Sequence, residues 1–445
     1  MQDVFSSAAT FLPIALLAFF LIILRRSIWE TALWGLIGAF AVGMLAFAGV
    51  PGKMAIAAVQ GACHSAPILL VIFLTLLLYN AAENMGLFAR LIEWLHRQTE
   101  DPVLQALLIG WLFVHLLQGA SGFGIPVLLC APILVKCGVS PARAVFIAQL
   151  GQCWGSTFGT FALGWEGLLT QMTLQTEEIA ALAISVSHLF APICVVTGWI
   201  IAFLIGGWCG MKQTFLLVFA IGLIQSIVQD ACIAFLSVNP ANFIAASAGL
   251  LTFFLCLRVR GETNATDEKK REGNHRALCM DIKTICFTAL VYAVRRTVLA
   301  GLPITLLLAM AAVMVMTGQT QAAASAIATL AGRSYPLFAA YVGMLGSFLT
   351  ASNLSSNILF GAFQEQAAEV LGLSAIPLLA LQTTGGAIGT ILSPSNILLG
   401  TSAVDIVGQE GRILRRTFLT AVLFAFGIGL FAIAYFDGSG LFLCI

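Results

Sequence analysis

A run of glycine and serine interrupts one of the most apolar parts of the chain. The run Gly119–Gly124 reads GASGFG and is followed at once by Ile125 and Pro126, with apolar residues on both sides. Three glycines in six positions favour a break in a helix, and a break exposes backbone N–H groups that can bind an anion. The positive end of the next helix adds to this attraction without a buried lysine. The run therefore predicts a site for an anionic group such as a carboxylate.

Three other segments carry small polar residues inside apolar sequence. They are Ser352–Asn357, which reads SNLSSN, the stretch Gly151–Thr160, and the stretch from Thr383 to Asn396. Irregular backbone at membrane depth is tolerated only where it is buried in protein or lines a watery cavity. We therefore expect these segments to face one site. The predicted substrate-binding residues are Gln118, Ser121, Gly122, Phe123, Gly124, Asn353, Ser355, Ser356, Asn357, Thr383, Thr384, Gly385, Gly386 and Ser393.

The residue types suggest different roles within this set. Backbone N–H groups of Ser121–Gly124, together with the hydroxyls of Ser355 and Ser356, are predicted to bind the carboxylate. The amides Gln118, Asn353 and Asn357 would bind the rest of the substrate or fix the interrupted segments, and Thr383, Thr384 and Ser393 would line the facing helix.

The composition is that of a membrane protein. Of 445 residues, 60% are apolar and 9% are charged, whereas soluble domains carry about 25% charged residues. The net charge of +1 gives no reason to expect a nucleic-acid partner. The eleven cysteines are scattered without a C-x-x-C pair, which indicates small core residues rather than a metal site or disulfides. No metal or cofactor is predicted.

A transmembrane helix needs about 20 apolar residues, and many segments meet this requirement. Zones 103–136 and 337–371 exceed one span and are interrupted, so each predicts a re-entrant hairpin of two half-length helices. The first apolar run has Arg25 and Arg26 after it rather than before it, which favours a retained span over a signal peptide. The candidate spans are 8–24, 28–49, 64–86, 141–165, 179–209, 214–236, 241–257, 297–316, 375–399 and 417–436.

The positions of lysine and arginine orient the chain. The segment 258–283 carries seven Lys and Arg residues and is predicted to be a cytoplasmic loop. The segment Glu166–Glu178 has three glutamates and no Lys or Arg, and falls outside by counting spans. These assignments predict a multi-pass protein of the bacterial inner membrane.

An internal repeat is present. Gly138-Val139-Ser140 precedes Gly151 and Gly155-Ser156, while Gly372-Leu373-Ser374 precedes Gly385 and Gly389-Thr390, with a constant separation of 234 residues. Gly86 and Gly318 end matching spans 232 residues apart. By the orientation above, the two interrupted zones enter the membrane from opposite sides. Inverted repeats with broken helices that meet near the midplane are typical of secondary transporters.

The predicted fold is therefore an all-α polytopic membrane protein with two inverted-topology repeats, each with a re-entrant helical hairpin and a broken transmembrane helix. The predicted organisation is a first repeat at 1–210, connecting helices at 211–257, the charged loop at 258–283 and a second repeat at 284–445. The oligomeric state stays open, with a homo-oligomer as one option.

The sequence resembles the L-lactate permease family, whose members carry lactate and glycolate across bacterial inner membranes with protons. The resemblance covers about residues 28 to 436. It rests on Gly119–Pro126, on Ser352–Asn357 followed by Leu359–Ala362, and on Thr383–Gly386 with Ser393-Pro394. It implies a fold of the ion-transporter type and a small organic anion, such as a monocarboxylate or hydroxy-acid, as substrate.

The chain departs from the family at positions that are usually ionisable. Gln118 and Asn353 stand in place of acidic residues, Leu354 in place of a threonine and Thr390 in place of a lysine, and the chain is shorter than typical members. The resemblance therefore does not specify the coupling ion. His115, one helical turn before Gln118, is the best proton candidate because imidazole titrates near neutrality. Sodium is the alternative.

Other functions remain open at this point. A dicarboxylate or sulfonate could be the substrate, with sodium coupling. Gly119-Ala120-Ser121-Gly122 matches the G-x-S-G motif of rhomboid proteases, with Ser121 as nucleophile and His188 as base, but this explains neither the repeat nor the second interrupted zone. A channel or a membrane receptor is a third alternative, which saturable uptake would argue against. We predict a transporter rather than an enzyme.

Overall fold

The computed structural model describes residues 9–24, 26–96, 98–122, 124–170, 172, 174–260 and 282–438. The described residues form helices and contain no β-strand, and eight of the helices are long and apolar enough to cross a membrane. This confirms the predicted all-helical polytopic fold. Phe123 and residues 261–281 of the predicted charged loop lie outside the described residues.

Two helical pairs form the predicted hairpins. Hairpin 1 consists of α6 (Pro102–Leu107), a π-helical stretch (Leu108–Phe113), α7 (Val114–Ala120) and α8 (Ile125–Lys136). Hairpin 2 consists of α15 (Tyr335–Thr350) and α16 (Asn353–Leu371). In each hairpin the arms pack against each other. The helices before, between and after the hairpins are α1 (Leu12–Ala18), α2 (Ile28–Ala46), α3 (Pro51–Cys63), α4 (Ser65–Asn84), α5 (Leu87–His96), α9 (Pro141–Gln152), α10 (Gly159–Leu169), α11 (Thr176–Phe235), α12 (Ala241–Arg260), α13 (Ile282–Met316), α14 (Gln319–Ala331), α17 (Ala375–Gly389), α18 (Pro394–Ala403) and α19 (Glu410–Gly438).

A broken helix follows each hairpin. Broken helix 1 is α9 and α10, separated by a turn at 153–158, and broken helix 2 is α17 and α18, separated by a short 3₁₀ turn (Thr390–Leu392) and Ser393. The predicted span 141–165 is thus two half-helices. In the second half, Thr383–Gly386 lie inside regular α17, ahead of the break.

Three predicted spans differ in detail from the structure. The spans predicted at 179–209 and 214–236 form the single segment α11, which bends at Gly207 (φ 61°, ψ −155°) rather than between residues 209 and 214. The span predicted at 297–316 begins much earlier as α13, so Arg295 and Arg296 lie within the helix rather than before it. The Arg296 guanidinium lies 5.5 Å from the centre of the Tyr292 ring, a cation–π contact that covers part of its charge.

Hairpins and broken helices form the centre of the molecule. The apolar window of Ala375–Leu392 is 94% buried and that of Pro102–Ala120 is 83% buried, whereas that of Glu410–Asp437 is 33% buried. Exposed leucine and phenylalanine side chains on the outer helices match a surface that faces lipid. The polar, irregular segments are therefore shielded from lipid by a shell of regular helices.

Two apolar clusters build this arrangement. The larger contains the hairpins, the broken helices, α11, α12 and α19. The second joins α2–α4 and α13, and it reaches the centre through Ile125, Leu163, Leu354 and Ile358. The boundary between the two clusters therefore lies at the tips of the hairpins.

Backbone conformation at the repeat-matched glycines agrees between the halves. Gly138 (φ 85°) and Gly372 (φ 63°) both adopt the left-handed conformation, as do Gly86 (φ 68°) and Gly318 (φ 81°). Residues with a Cβ rarely adopt this backbone conformation, so glycine is favoured at each turn. Each pair ends a helix at the same place in the two sequence repeats, which is consistent with the predicted internal repeat.

Candidate functional site

The backbone leaves the helical conformation in the same way at the tips of both hairpins. Ser121 (φ −154°, ψ 115°) ends α7 and Ser352 (φ −151°, ψ 126°) precedes α16, and both have extended backbone. A left-handed residue accompanies each serine, Gly124 (φ 80°) after the first and Ala351 (φ 60°) before the second. The chain therefore turns within a few residues and starts a new helix that points away from the tip.

The break in hairpin 2 is shorter than the sequence predicts. Only Ala351 and Ser352 leave the helical conformation, and Ser355, Ser356 and Asn357 lie in the first turns of α16. The Ser352 hydroxyl caps this helix by accepting a hydrogen bond from Ser355 N–H at 3.3 Å. A serine at this position satisfies one of the free N–H groups of the helix end.

A polar cavity of about 70 Å³ lies where the two tips and the two broken helices meet. A water molecule needs roughly 10–15 Å³ of such volume, so the cavity has room for a small polar molecule. No charged side chain of the described residues lines it. Its lining residues are Gln118, Gly122, Gly124, Gln152, Ser156, Gly159, Thr160, Leu163, Gly164, Ala351, Ser352, Asn353, Leu354, Thr390 and Asn396.

Three half-helices begin at this cavity. Gly124 is the N-cap of α8, Ser352 is the N-cap of α16, and Asn396 lies in the first turn of α18 after its N-cap Ser393. The N-terminal end of each helix carries partial positive charge. No ionised side chain of the described residues lines the cavity, and these N-terminal ends suit an anion without the cost of a buried ionised side chain.

Close packing holds the tip of hairpin 1 against both broken helices. A Cβ on Gly122 would lie 2.6 Å from Thr160 Oγ1, and a Cβ on Gly124 would lie 2.9 Å from Asn396 Oδ1. Any other residue at position 124 would also have to adopt a left-handed φ. Glycine at these positions therefore lets the backbone itself approach the cavity.

A hydrogen-bonded network supports the tip of hairpin 2. Asn353 Nδ2 donates to Thr157 Oγ1 at 2.9 Å, and the hydroxyls of Thr157 and Thr383 are 2.9 Å apart. Asn357 Nδ2 donates to Thr383 Oγ1 at 2.8 Å and to the Gly164 carbonyl at 2.8 Å. All four polar side chains are buried. The network therefore joins hairpin 2 to the break and second arm of broken helix 1 and to α17 of broken helix 2.

The break regions of the two halves touch each other directly. Ser156 Oγ and Thr390 Oγ1, which are 234 residues apart in sequence, lie 3.4 Å apart. They occupy equivalent positions in the repeat. Two copies related by a two-fold axis bring equivalent residues into contact only close to that axis. If the halves are related in this way, the axis passes through the cavity.

Comparison with known proteins supplies the family. The family model described as L-lactate permease matches residues 6–286 and 277–436. The chain belongs to the L-lactate permease family. The L-lactate permease of Halalkalibacterium halodurans is 24% identical in an alignment that covers 94% of each chain. The L-lactate permease of Escherichia coli K12 is 26% identical in an alignment that covers 95% of this chain and 94% of the relative. Glycolate permease GlcA of E. coli K12 is 23% identical, covering 82% and 83%.

Four of the predicted substrate-binding residues line the cavity of this permease, namely Gln118, Gly122, Gly124 and Asn353. Ser356 and Asn357 are paired inside the protein instead, since Ser356 Oγ donates to the Gly343 carbonyl at 2.7 Å. Thr383 belongs to the same buried network. The remaining predicted residues, Ser121, Ser355, Thr384, Gly385, Gly386 and Ser393, do not contribute to the cavity lining.

Several lining residues were not among the predicted binding residues. Ser156 and Thr390 are the Ser/Thr positions of the sequence repeat, so the repeat could have indicated them. Gln152 and Thr160 lie on either side of the break in broken helix 1, and Asn396 follows the break in broken helix 2. Their side chains reach the cavity only because of how the broken helices pack, which the local sequence does not specify.

His115 lies in a second polar cluster, beside the cavity rather than in its lining. Its ring stacks on Trp154 with 3.4 Å between ring centres. A Cβ on Gly155 would lie 2.6 Å from His115 Nδ1 and 3.1 Å from Asn242 Oδ1. The His115 nitrogen and the Asn242 oxygen therefore both lie next to Gly155. Among the described residues, neither the His115 nitrogens nor the Asn242 amide has a hydrogen-bond partner, although both side chains are fully buried. Buried polar side chains normally have a hydrogen-bond partner, so this cluster is an exception among the described residues.

The serine protease arrangement is not formed. His188 Nδ1 contacts Tyr435 Oη at 2.6 Å and Nε2 contacts Asp230 Oδ2 at 3.0 Å, so both ring nitrogens are occupied. Ser121 Oγ has no hydrogen-bond partner among the described residues. A nucleophile and its base must lie within hydrogen-bond reach of each other, and the relatives are permeases rather than enzymes.

Proposed function

We propose that this protein transports a small organic anion, a monocarboxylate or hydroxy-acid of the lactate type, across the bacterial inner membrane by cation-coupled symport. The observation that carries the proposal is the neutral polar cavity between the two hairpin tips, at the start of three half-helices. The names of the relatives, L-lactate permease and glycolate permease, support the same substrate class.

The lining supports separate roles for the two ends of such a substrate. The carboxylate would lie at the N-terminal ends of α8 and α16, between the backbone of Gly122 and Gly124 and the Ser352 hydroxyl. The amides of Gln118 and Asn353 would donate further hydrogen bonds. The hydroxyls of Ser156 and Thr390, which also line the cavity and lie 3.4 Å apart, suit the hydroxyl of a hydroxy-acid.

Transport requires the cavity to open to each side in turn. The cavity lies at the boundary between the two apolar clusters, where Leu163 and Leu354 belong both to its lining and to the smaller cluster. Movement of α2–α4 and α13 relative to the hairpins would therefore open or close it. This is the alternating-access arrangement of transporters with broken helices.

Counterflow in proteoliposomes tests the substrate. Purified protein is reconstituted in vesicles loaded with unlabelled L-lactate, and uptake of labelled lactate, glycolate, succinate and ethanesulfonate is compared with and without sodium. We expect saturable exchange of lactate and glycolate. Exchange of succinate or the sulfonate alone, in the presence of sodium, would favour the alternative anions, and unsaturable flux would favour a channel.

Filling the cavity should stop transport. Ser156→Leu places a larger apolar side chain in a space of about 70 Å³ and removes a hydroxyl, so we expect uptake to fall by about tenfold or more. Ser247→Leu is the matched control, because Ser247 is exposed on α12 and lies outside the lining. Wild-type uptake by Ser156→Leu protein would show that substrate binds elsewhere.

His115 is the proposed proton-coupling residue. An imidazolium stacked on the Trp154 indole is stabilised by a cation–π interaction, and Asn242 Oδ1 is available as an acceptor. We expect His115→Gln to exchange lactate but to lose accumulation driven by an imposed pH gradient. Accumulation equal to wild type under the same gradient would exclude His115, and a sodium gradient would be tested next.

A further inference from the structure

A carboxylate, an imidazole and a phenol form a hydrogen-bonded chain away from the cavity. Asp230 and His188 come from the two arms of α11, on either side of the bend at Gly207, and Tyr435 comes from α19. The contacts are 3.0 Å from Asp230 Oδ2 to His188 Nε2 and 2.6 Å from His188 Nδ1 to Tyr435 Oη. None of the three residues lines the cavity.

This chain can take up one proton without losing a hydrogen bond. With neutral imidazole, Nε2–H donates to Asp230 and the Tyr435 hydroxyl donates to Nδ1. When a proton from water adds to Nδ1, the new N–H donates to Tyr435 Oη and the hydroxyl rotates to become the acceptor. The net charge of the group changes from −1 to zero. In a membrane interior this change favours a different packing of the charged group.

The group lies at the surface of the described chain, close to one end of α11. The side chains of His188 and Asp230 are 35% and 29% exposed, in contrast to His115, which is fully buried. Asp230 lies five residues before the end of α11 at Phe235, which is about 7.5 Å along a helix. The other Asp230 oxygen, Oδ1, is buried without a hydrogen-bond partner among the described residues.

Few other titratable groups belong to the helices that pack on α11. α17 and α6 carry none. Arg143 of α9 donates to the Leu204 carbonyl, and the titratable residues of α12, which are Cys256, Arg258 and Arg260, lie at the opposite end of that helix from Asn242. In α19, Asp437 is two residues beyond Tyr435, and Glu410, Arg412, Arg415 and Arg416 lie at the other end of that helix. Asp230 and Tyr435 are therefore the titratable groups in contact with His188.

The position of the group connects it to the transport machinery. Both α11 and α19 pack against α17, the regular half of broken helix 2, and α17 carries Thr383 of the network under the hairpin tip. A change in how the arms of α11 are held to α19 therefore acts directly on the helix that supports the tip of hairpin 2.

We propose that His188, Asp230 and Tyr435 form a proton-binding site, separate from the anion cavity, through which the pH of the adjoining water sets the rate of transport. The effect on rate rests on the transport function proposed above, whereas the binding of the proton does not. The site differs from His115 in the result of its removal, because a variant without His188 should lose the pH dependence of the exchange rate but keep accumulation driven by a pH gradient.

Two measurements test the site. The first is the melting temperature of detergent-purified protein between pH 5 and 8, the range in which histidine titrates. We expect a pH-dependent step in the wild type that is absent in His188→Gln and in Asp230→Asn and is shifted in Tyr435→Phe. His64→Gln, which replaces an exposed histidine, should keep the wild-type step.

The second measurement is lactate counterflow at equal internal and external pH. We expect the wild-type rate to change by about threefold or more over the range in which imidazole changes charge, and His188→Gln to show a flat profile. A His188→Gln protein with the wild-type profile in both measurements overturns the proposal. A melting step that depends on His188, without exchange of any tested anion, leaves the proton site intact and contradicts the proposed substrate class instead.

Discussion

Replacing Gly385 by alanine is expected to abolish transport and to destabilise the folded protein. A Cβ at this position would overlap the carbonyl oxygen of Ala340 in hairpin 2, and backbone atoms cannot be displaced as an exposed side chain can. Overpacking of this kind costs about 1–3 kcal/mol and sometimes more. The contact sets how closely α17 lies against α15. A displacement of α17 would therefore also change the shape of the cavity. Gly151 is the equivalent residue of the first repeat and meets the Gly110 carbonyl in the same way, so Gly151→Ala should behave alike.

The measurements are the melting temperature of protein in detergent and the initial rate of lactate counterflow. Gly427→Ala is the matched control, because it makes the same change inside a helix where a Cβ would meet nothing within 4 Å. Alanine at such a position should leave stability unchanged or raise it by about 0.5–1 kcal/mol. Wild-type melting and transport by Gly385→Ala protein would contradict the packing described here.

Removing the Thr157 hydroxyl is expected to have the second largest effect. Thr157→Val keeps the shape of the side chain but leaves Asn353 Nδ2 without its acceptor and takes away the contact with Thr383. A buried polar group left unsatisfied costs about 1–3 kcal/mol. Asn353 lines the cavity, so its amide would lose its fixed orientation. We expect uptake to fall by about tenfold, with a smaller loss of stability than for Gly385→Ala.

A double-mutant cycle with Asn353→Ala tests whether Thr157 acts through Asn353. If Thr157 acts by orienting Asn353, the two substitutions should not be additive, with an interaction energy of about 0.5–3 kcal/mol in transport or stability. Thr329→Val is the control, since Thr329 is exposed and its hydroxyl donates to the Ser325 carbonyl of its own helix. Strictly additive effects would show that the hydrogen bond between Asn353 and Thr157 has no role in transport.

The site could be predicted in part, because some of its residues lie next to backbone breaks. Gly122 and Gly124 were predicted at the site since glycine marks a turn in an apolar helix, and both line the cavity, as does Gln118, which precedes that turn. Thr160 and Asn396 also line the cavity but were not predicted, because each reaches it by contact with a tip that is far away in sequence. The same reason explains Asn357, which is predicted to face substrate but donates to Gly164, 193 residues away.

The contacts between His188, Asp230 and Tyr435 could not be predicted from the sequence either. His188 and Asp230 are 42 residues apart, and nothing near either residue predicts that they pair. Their contact depends on the bend at Gly207, where α11 turns back on itself. Tyr435 is a further 205 residues along the chain from Asp230 and gave no sequence signal.

The sequence alone determined that this is a helical membrane protein and that its helices break near Ser121, Gly155, Ser352 and Ser393, although it did not give the bend of α11 at Gly207. It could do so because each backbone group in a bilayer must be satisfied within its own helix, so helix and break are decided by nearby residues. The repeat added which breaks correspond. Only the tertiary structure decided that Ser156 meets Thr390 and that Asn353 bonds to Thr157, because such contacts come from side-chain packing between helices that are distant in sequence.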